Sequence, residues 1–235
     1  MINDLLISSA KELGVTITPS MAEKFMQYKD MLLKKNENLN LTAITDDRDI
    51  ILKHFVDSIS IAPFLKENDR VIDIGTGAGL PGIPLKIVAP TQTYTLLDSL
   101  NKRVLFLREV IDALALDKIS AIHTRAEDYA NDNREMFDIA TSRAVTNLSV
   151  LAELSLPLLK IGGKLFAYKG PKIDDELEAA KTPLEILGGQ ISDIKYVQLP
   201  TTDIIHSIII IDKIKETPPK FPRKPNQIKR TLKKV

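Results

Sequence analysis

Residues 70–86 read RVIDIGTGAGLPGIPLK, and the fold turns on how they are interpreted. Val71, Ile72 and Ile74 form a short β-branched run of the kind a buried parallel strand uses. Asp73 interrupts that run two residues ahead of Gly75, Gly77 and Gly79, which permit positive φ or close backbone approach. A helix can begin near Pro81 to Pro84. Strand, glycine loop and helix N-terminus in succession hold a polar ligand through backbone N–H groups and the helix dipole. The expected ligand is nucleotide-like.

Two patterns overlap in this loop. Asp73 to Gly79 reads acidic-x-Gly-x-Gly-x-Gly, the form of an S-adenosylmethionine (SAM) site. Gly77-x-Gly79-x-x-Gly82 reads as a dinucleotide fingerprint. Asp98, at the end of the next strand, suits the ribose hydroxyls in either case. Asp73 favours SAM, because a carboxylate pointing into the loop attracts an ammonium group and repels a pyrophosphate.

At 235 residues the chain supports one large domain with additions. The absence of cysteine excludes disulfides, thiolate metal sites and thiolate nucleophiles, among them the one commonly used in pyrimidine C5 methylation. The first residues lack a basic n-region and a long apolar core, and no apolar run approaches the roughly 20 residues of a membrane span. A cytoplasmic protein without membrane association is expected. The net charge of +1 conceals an asymmetry: residues 213–235 carry nine Lys/Arg against one Glu, or +8, and the other 212 residues total −7. Such a tail suits a polyanion, most often nucleic acid, or is simply a solvated end.

Ile2 to Leu13 has helical spacing. Thr18 and Pro19 open a second helix to about Lys35, and Asn36 to Thr45 reads as a polar loop. Asp46 to Phe64 reads as a third helix. These make an N-terminal helical layer, residues 1–65, packed on a main domain of residues 66–214, with a basic tail at 215–235. From Arg70 strands and helices alternate, the signature of a parallel sheet covered on both faces. Strands are expected at Val71–Ile74, Thr93–Leu97, Ile119–His123, Phe137–Thr141 and Lys164–Tyr168. Intervening helices are expected at about Pro81–Val88, Lys102–Leu114, Leu148–Leu159 (closed by Gly162-Gly163) and Asp174–Leu187. Ile191–Leu199 and Ile204–Ile214 are joined by Pro200-Thr201-Thr202-Asp203, too short for a crossover, so they pair antiparallel. The fold class is α/β: a doubly wound, Rossmann-like sheet of the class I SAM-dependent methyltransferase type, ending in an antiparallel hairpin.

DIGTGAGLPGIPL, LLDSLNKRVLFLREV, RAEDY, FDIATSRAV, YKGP and PRKPNQIKR, together with the earlier NLNLTAI and KHFVDS, resemble the RsmG/GidB family of bacterial 16S rRNA guanine-N7 methyltransferases. The resemblance spans nearly the whole chain and is weakest in the first two helices and in Lys172–Tyr196. It implies SAM as methyl donor and, as acceptor, a guanosine of 16S rRNA near the decoding centre, in the rRNA or a small-subunit precursor. By matching motif it places cofactor contacts at Gly75, Leu80, Ala126, Glu127 and Arg143. Asp73, Gly77, Gly79 and Asp98 complete the expected cofactor set. Arg143, Lys169 and the tail residues Arg223, Lys224, Lys229 and Arg230 are the candidates for RNA. No cluster has metal-ligand spacing, and a monomer is favoured.

Several residues carry two readings. His54, Asp57 and Ser58 share a helix face, but without an oxyanion hole or a G-x-S-x-G elbow they make no hydrolase triad. They are either helix-surface groups or a polar wall of the ligand crevice. Arg143 is a strand-end ion pair or a ligand contact, and Lys169 a surface lysine or an RNA contact. Tyr168 reads as packing and His206 as a structural histidine. A guanine N7 has no proton to lose, so no general base is expected. The rival readings are an NAD-dependent oxidoreductase using Gly77, Gly79 and Gly82, and a non-catalytic RNA-binding assembly factor.

Overall fold

A computed structural model describes residues 2–143, 146–224 and 226–228. Its sheet has seven strands: β1 (Arg70–Ile74), β2 (Thr93–Asp98), β3 (Ile119–His123), β4 (Phe137–Arg143), β5 (Leu159–Lys169), β6 (Gly189–Gln198) and β7 (Ile205–Lys213), in the order β3-β2-β1-β4-β5-β7-β6. The first five are parallel, with Asp73 level with Leu96 on one side and with Thr141 on the other. β7 enters antiparallel between β5 and β6, the arrangement expected from the short Pro200–Asp203 connection. Strand order reverses between β1 and β4, which opens a crevice at the carboxyl ends of those two strands.

Both faces are covered, so Val71, Ile72, Asp73 and Ile74 are all buried. On one face lie α5 (Gly82–Val88), α6 (Asn101–Ala113) and the N-terminal helices α1 (Ile2–Glu12) and α2 (Pro19–Leu39). Leu6, Phe25, Leu32 and Phe55 share one apolar core there with Ile83, Leu96 and Leu107. Tyr28 stacks on Phe55 at 5.1 Å, and its hydroxyl donates to the Ala78 carbonyl at 2.7 Å, fastening α2 to the glycine loop. On the other face α8 (Leu148–Ser155) and α9 (Asp174–Leu187) pack on β4, β5 and β7 through Leu151, Leu165, Leu184 and Ile209.

Three expected elements differ. α2 begins as expected, with Thr18 Oγ1 accepting from Met21 N, but runs one turn further, to Leu39. The third helix is composite: α3 (Asp47–Asp49), a π-helical stretch (Ile50–Val56) and α4 (Asp57–Ile59). α8 stops at Ser155 and a 3-10 turn (Leu156–Leu158) leads directly into β5. Pro157 in that turn has no N–H to extend an α-helix. Gly162-Gly163, expected to close the helix, instead lie inside β5, where the register slips between Phe137 and Ile139. A short helix, α7 (Ala126–Tyr129), stands where only a strand end was expected. The described part of the tail lies on the body: Arg134 donates to the carbonyls of Thr217 (2.7 Å) and Phe221 (2.6 Å).

Candidate active site

The glycine loop is built around two acids. Asp73 does not point outward to a ligand as the sequence suggested; it is 1% exposed, underneath the loop. Its Oδ2 accepts from Thr76 Oγ1 (2.6 Å) and Gly82 N (3.0 Å), and its Oδ1 from Thr141 Oγ1 (3.2 Å). Burial raises its pKa to about 6, against the lowering effect of those hydrogen bonds and of Arg143. Asp98 takes the outer side: Oδ2 accepts from Gly77 N at 3.0 Å, Oδ1 from Leu100 N at 2.8 Å, and Arg103 Nη1 stands 3.4 Å from Oδ2. Thr76 N donates to the Leu97 carbonyl, tying the loop across to β2. Gly77 has φ +62, and a Cβ placed there would meet nothing closer than Gly75 O at 3.9 Å, so the backbone is open to a ligand on that side. Gly79 and Leu80 are turned inward, the first against Ile83 and Leu107 and the second nearly buried.

Beside this loop is a cavity of about 160 Å³ bounded by Gly75, Leu97, Asp98, Thr124, Ala126 and Glu127. Ile74, Leu97, Ala126 and Leu154 give it apolar walls, and Asp98 and Glu127 give it acceptors. An adenosine needs this combination, a flat apolar slot with a carboxylate for ribose hydroxyls, so the residues present fit SAM. A larger hollow of about 540 Å³ adjoins it at Glu127, between α7 and the C-terminal segment carrying Lys220, Arg223 and Lys224.

Arg143, at the end of β4, faces the N-terminal layer. Its Nη1 donates to Lys53 O (3.0 Å) and Asp57 Oδ2 (2.9 Å), and its Nη2 lies 3.3 Å from His54 Nδ1. His54 Nδ1 also lies 3.2 Å from Lys53 O, and its Nε2 pairs with Thr42 Oγ1, 2.7 Å away. Burial, with Arg143 adding to it, lowers the His54 pKa to about 4. Burial raises the Asp57 pKa, but contacts with His206 and Arg143 outweigh it and leave the value lowered. His54 and Asp57 therefore share Arg143 rather than each other, and Ser58 Oγ donates to the His54 carbonyl, so the three form no triad. His206 Nε2 stands 2.6 Å from Asp57 Oδ1, without the alignment of a hydrogen bond.

The other candidates are also engaged. Lys169 Nζ donates to Thr146 O (2.6 Å) and Glu176 Oε1 (2.5 Å), clamping the start of α8 to α9. Tyr168 is packed, with its hydroxyl on Ser58 O at 2.8 Å. Arg223 is held by both oxygens of Glu153, at 2.5 to 3.1 Å. Lys224 is exposed, while Lys229 and Arg230 lie outside the described residues. Among the described residues no group of three or more His, Asp or Glu could hold a metal ion, and no helix is long and apolar enough to cross a membrane. Sequence reasoning missed Thr76 and Thr141 as anchors of Asp73, and the Asp57–His206 contact. Nothing in their spacing signals them.

A reversal of strand order at β1/β4, an antiparallel β7 and a cavity lined by Gly75 and Asp98 at the carboxyl ends of the strands define a class I SAM-dependent methyltransferase fold. The structure of M. jannaschii TYW2 in complex with AdoMet superposes with TM-score 0.56 at 18% identity, over 67% of this chain and 75% of that one. A SAM-dependent O-methyltransferase from Thermotoga maritima gives 0.52 at 18%, over 79% and 72%. At such identities the likeness concerns the fold. The family model described as GidB, rRNA small subunit methyltransferase G, matches residues 21–205. A ribosomal RNA small subunit methyltransferase G from Acetivibrio thermocellus is 51% identical over 223 residues, 94% of this chain and 92% of the relative. Its counterpart in Alkaliphilus metalliredigens is 45% identical over 225 residues, 94% of each chain. The chain belongs to the rRNA small subunit methyltransferase G family.

Proposed function

We propose that this protein methylates N7 of a guanine in 16S rRNA near the decoding centre, taking the methyl group from SAM. The observation that carries this reading is the Gly77–Asp98 hydrogen bond at the rim of the cavity that ends at Ala126 and Glu127. Gly75, Gly77, Gly79 and Leu80 form the loop wall, with Asp73 as its anchor. Asp98 receives the ribose, Ala126 and Glu127 the adenine edge, and Arg143 the amino-acid end. The dinucleotide alternative is disfavoured because Gly79, the second glycine of that fingerprint and the one a pyrophosphate would approach, is turned inward against Ile83 and Leu107.

Bound in this cavity, SAM supplies a methyl group on a positively charged sulfur. Guanine N7 has a free lone pair, so the chain has no proton to remove. The residues bind, align the acceptor with the donor and exclude water, and alignment supplies most of the rate. Lys169 clamps the acceptor side of the crevice, and Lys224 with Lys229 and Arg230 contributes phosphate contacts. The substrate is the rRNA or a small-subunit precursor, met by a monomer in the cytoplasm without a metal ion. The helical layer of 1–65, the domain of 66–214 and the basic tail of 215–235 act together in this reading.

The test is transfer of labelled methyl from SAM to small-subunit RNA, followed by nucleoside mass spectrometry. The expected product is 7-methylguanosine. Methylation at another atom, or none with any small-subunit RNA, rejects the proposal. In calorimetry SAM and S-adenosylhomocysteine should bind and NAD should not.

A further inference from the structure

The Arg143 guanidinium has five N–H donors in a rigid fork. Three are used on the N-terminal layer: both on Nη1, to Lys53 O and Asp57 Oδ2, and one on Nη2, to His54. Nε–H and the second Nη2–H have no partner among the described residues. Asp57 meets the fork end-on with one oxygen, while its other oxygen is backed by His206 of β7 at 2.6 Å. Asp57 and Arg143 side chains are only 9% and 15% exposed, so the fork is held in place and is little screened. Arg143 also lowers the pKa of Asp73 in the glycine loop, against the raising effect of burial.

Arginine–carboxylate pairs are frequently bidentate, with two parallel bonds, as Arg223 is on Glu153. Arg143 instead keeps two adjacent donors free at the carboxyl end of β4. SAM has one anionic group, the carboxylate of its amino-acid end, and an arginine fork matches a carboxylate.

We propose that Asp57, backed by His206, is a positioning residue that aims the two free donors of Arg143 at the carboxylate of SAM. The proposal rests on the reading that Arg143 belongs to the cofactor site. Through it the π-helical stretch and α4 become part of cofactor recognition: losing Asp57 frees the fork to rotate, without removing any group that touches the cofactor.

The test compares three ligands by calorimetry: SAM, S-adenosylhomocysteine and 5′-methylthioadenosine, which lacks the carboxylate. Asp57→Asn and Arg143→Met should each weaken the first two by roughly tenfold or more and leave methylthioadenosine unchanged. The double variant should be no worse than Arg143→Met alone, as for residues acting in series. His206→Ala, which leaves the ion pair intact, should give a smaller loss of the same selectivity and carries the test if Asp57→Asn does not fold. If Arg143→Met is selective but both Asp57→Asn and His206→Ala weaken all three ligands alike, or none, the positioning role is overturned. SAM affinity unchanged in Arg143→Met overturns the cofactor reading of Arg143 and the proposal with it.

Discussion

The Gly82 amide donates to the Asp73 carboxylate at 3.0 Å, so the first residue of α5 is fastened to the strand that precedes the loop. That contact leaves no room for a side chain. A Cβ on Gly82 would stand 2.3 Å from Leu96 Cδ2 and 2.9 Å from Asp73 Oδ2. Gly82→Ala should therefore destabilise the fold by about 1–3 kcal/mol, the cost of overpacking. The Cβ of Gly77→Val meets no protein atom closely and its cost is the left-handed φ, so the variant should stay folded while losing SAM. Urea unfolding and SAM calorimetry on both variants check this contrast. A Gly77→Val protein that still binds SAM normally would take the ligand away from the loop.

Asp73 also sets a pH dependence. Its pKa is raised in the folded state to about 6, mainly by burial, from the ordinary aspartate value of 3.8. The folded state thus holds the proton more tightly. The resulting stabilisation is fully present below about pH 4 and is lost as pH rises through about 6. Asp57 has the opposite sign: its pKa is lowered, so its contribution is present above about pH 4 and lost on further acidification. Between pH 4.5 and 6.5 the difference in unfolding free energy between wild type and Asp73→Asn should shift by on the order of 2 kcal/mol. If SAM binds beside Asp73, its ammonium and sulfonium charges favour the ionised acid. SAM affinity should then rise with pH through about 6 in wild type and not in Asp73→Asn.

The sequence made the sheet readable because β-branched runs alternate with helical spacing and because Pro200 to Asp203 is too short for a crossover. It made α9 readable at both ends, since Asp174 starts an acidic first turn and Gly188 adopts the left-handed cap at φ +85. The start of β5 was hidden because Pro157 and Gly162-Gly163 serve equally as helix-stop signals and as a 3-10 turn followed by an irregular strand. The π-helical stretch was hidden because a wider turn over Ile50–Val56 barely alters apolar spacing. The orientation of the loop acid Asp73 was hidden: it faces inward because Thr76, Gly82 and Thr141 converge on it in space. The pairing of Arg143 with Asp57 spans 86 residues and that of Arg223 with Glu153 spans 70, and spacing carries no trace of either.

Arg223 and Lys224 should behave differently despite being neighbours. The Glu153 side chain is 4% exposed and depends on Arg223 for both oxygens, so Arg223→Ala should cost about 2 kcal/mol of stability, less than a fully buried pair. Lys220 and Lys224 stand at the open hollow next to Glu127. Changing both to Gln should leave urea unfolding and SAM affinity unaltered. The dependence of log K on log salt for substrate RNA should flatten by roughly 0.7–0.9 per lost phosphate contact. An unchanged salt slope would make this part of the tail a solvated surface.

The chemical step should proceed without a titrating base. Of the acids and histidines around the crevice, Asp73 is enclosed by the loop and Asp98 already accepts two backbone amides. His54 is held between Thr42 and Arg143 with a pKa near 4, so it carries no charge to lose above that pH. Asp57 is spent on Arg143 and His206. Asp73, with a pKa of about 6, has both oxygens engaged inside the loop, and guanine N7 offers no proton. Single-turnover methylation with saturating SAM and RNA should therefore be nearly flat from about pH 6.5 to 8.5, where a general base would give a limb of unit slope below its pKa. His54→Ala should lower the plateau by disturbing Arg143 and leave its shape unchanged. A wild-type limb that His54→Ala abolishes would mean that the histidine exchanges protons during the reaction, and that the methyl group goes to an atom bearing one.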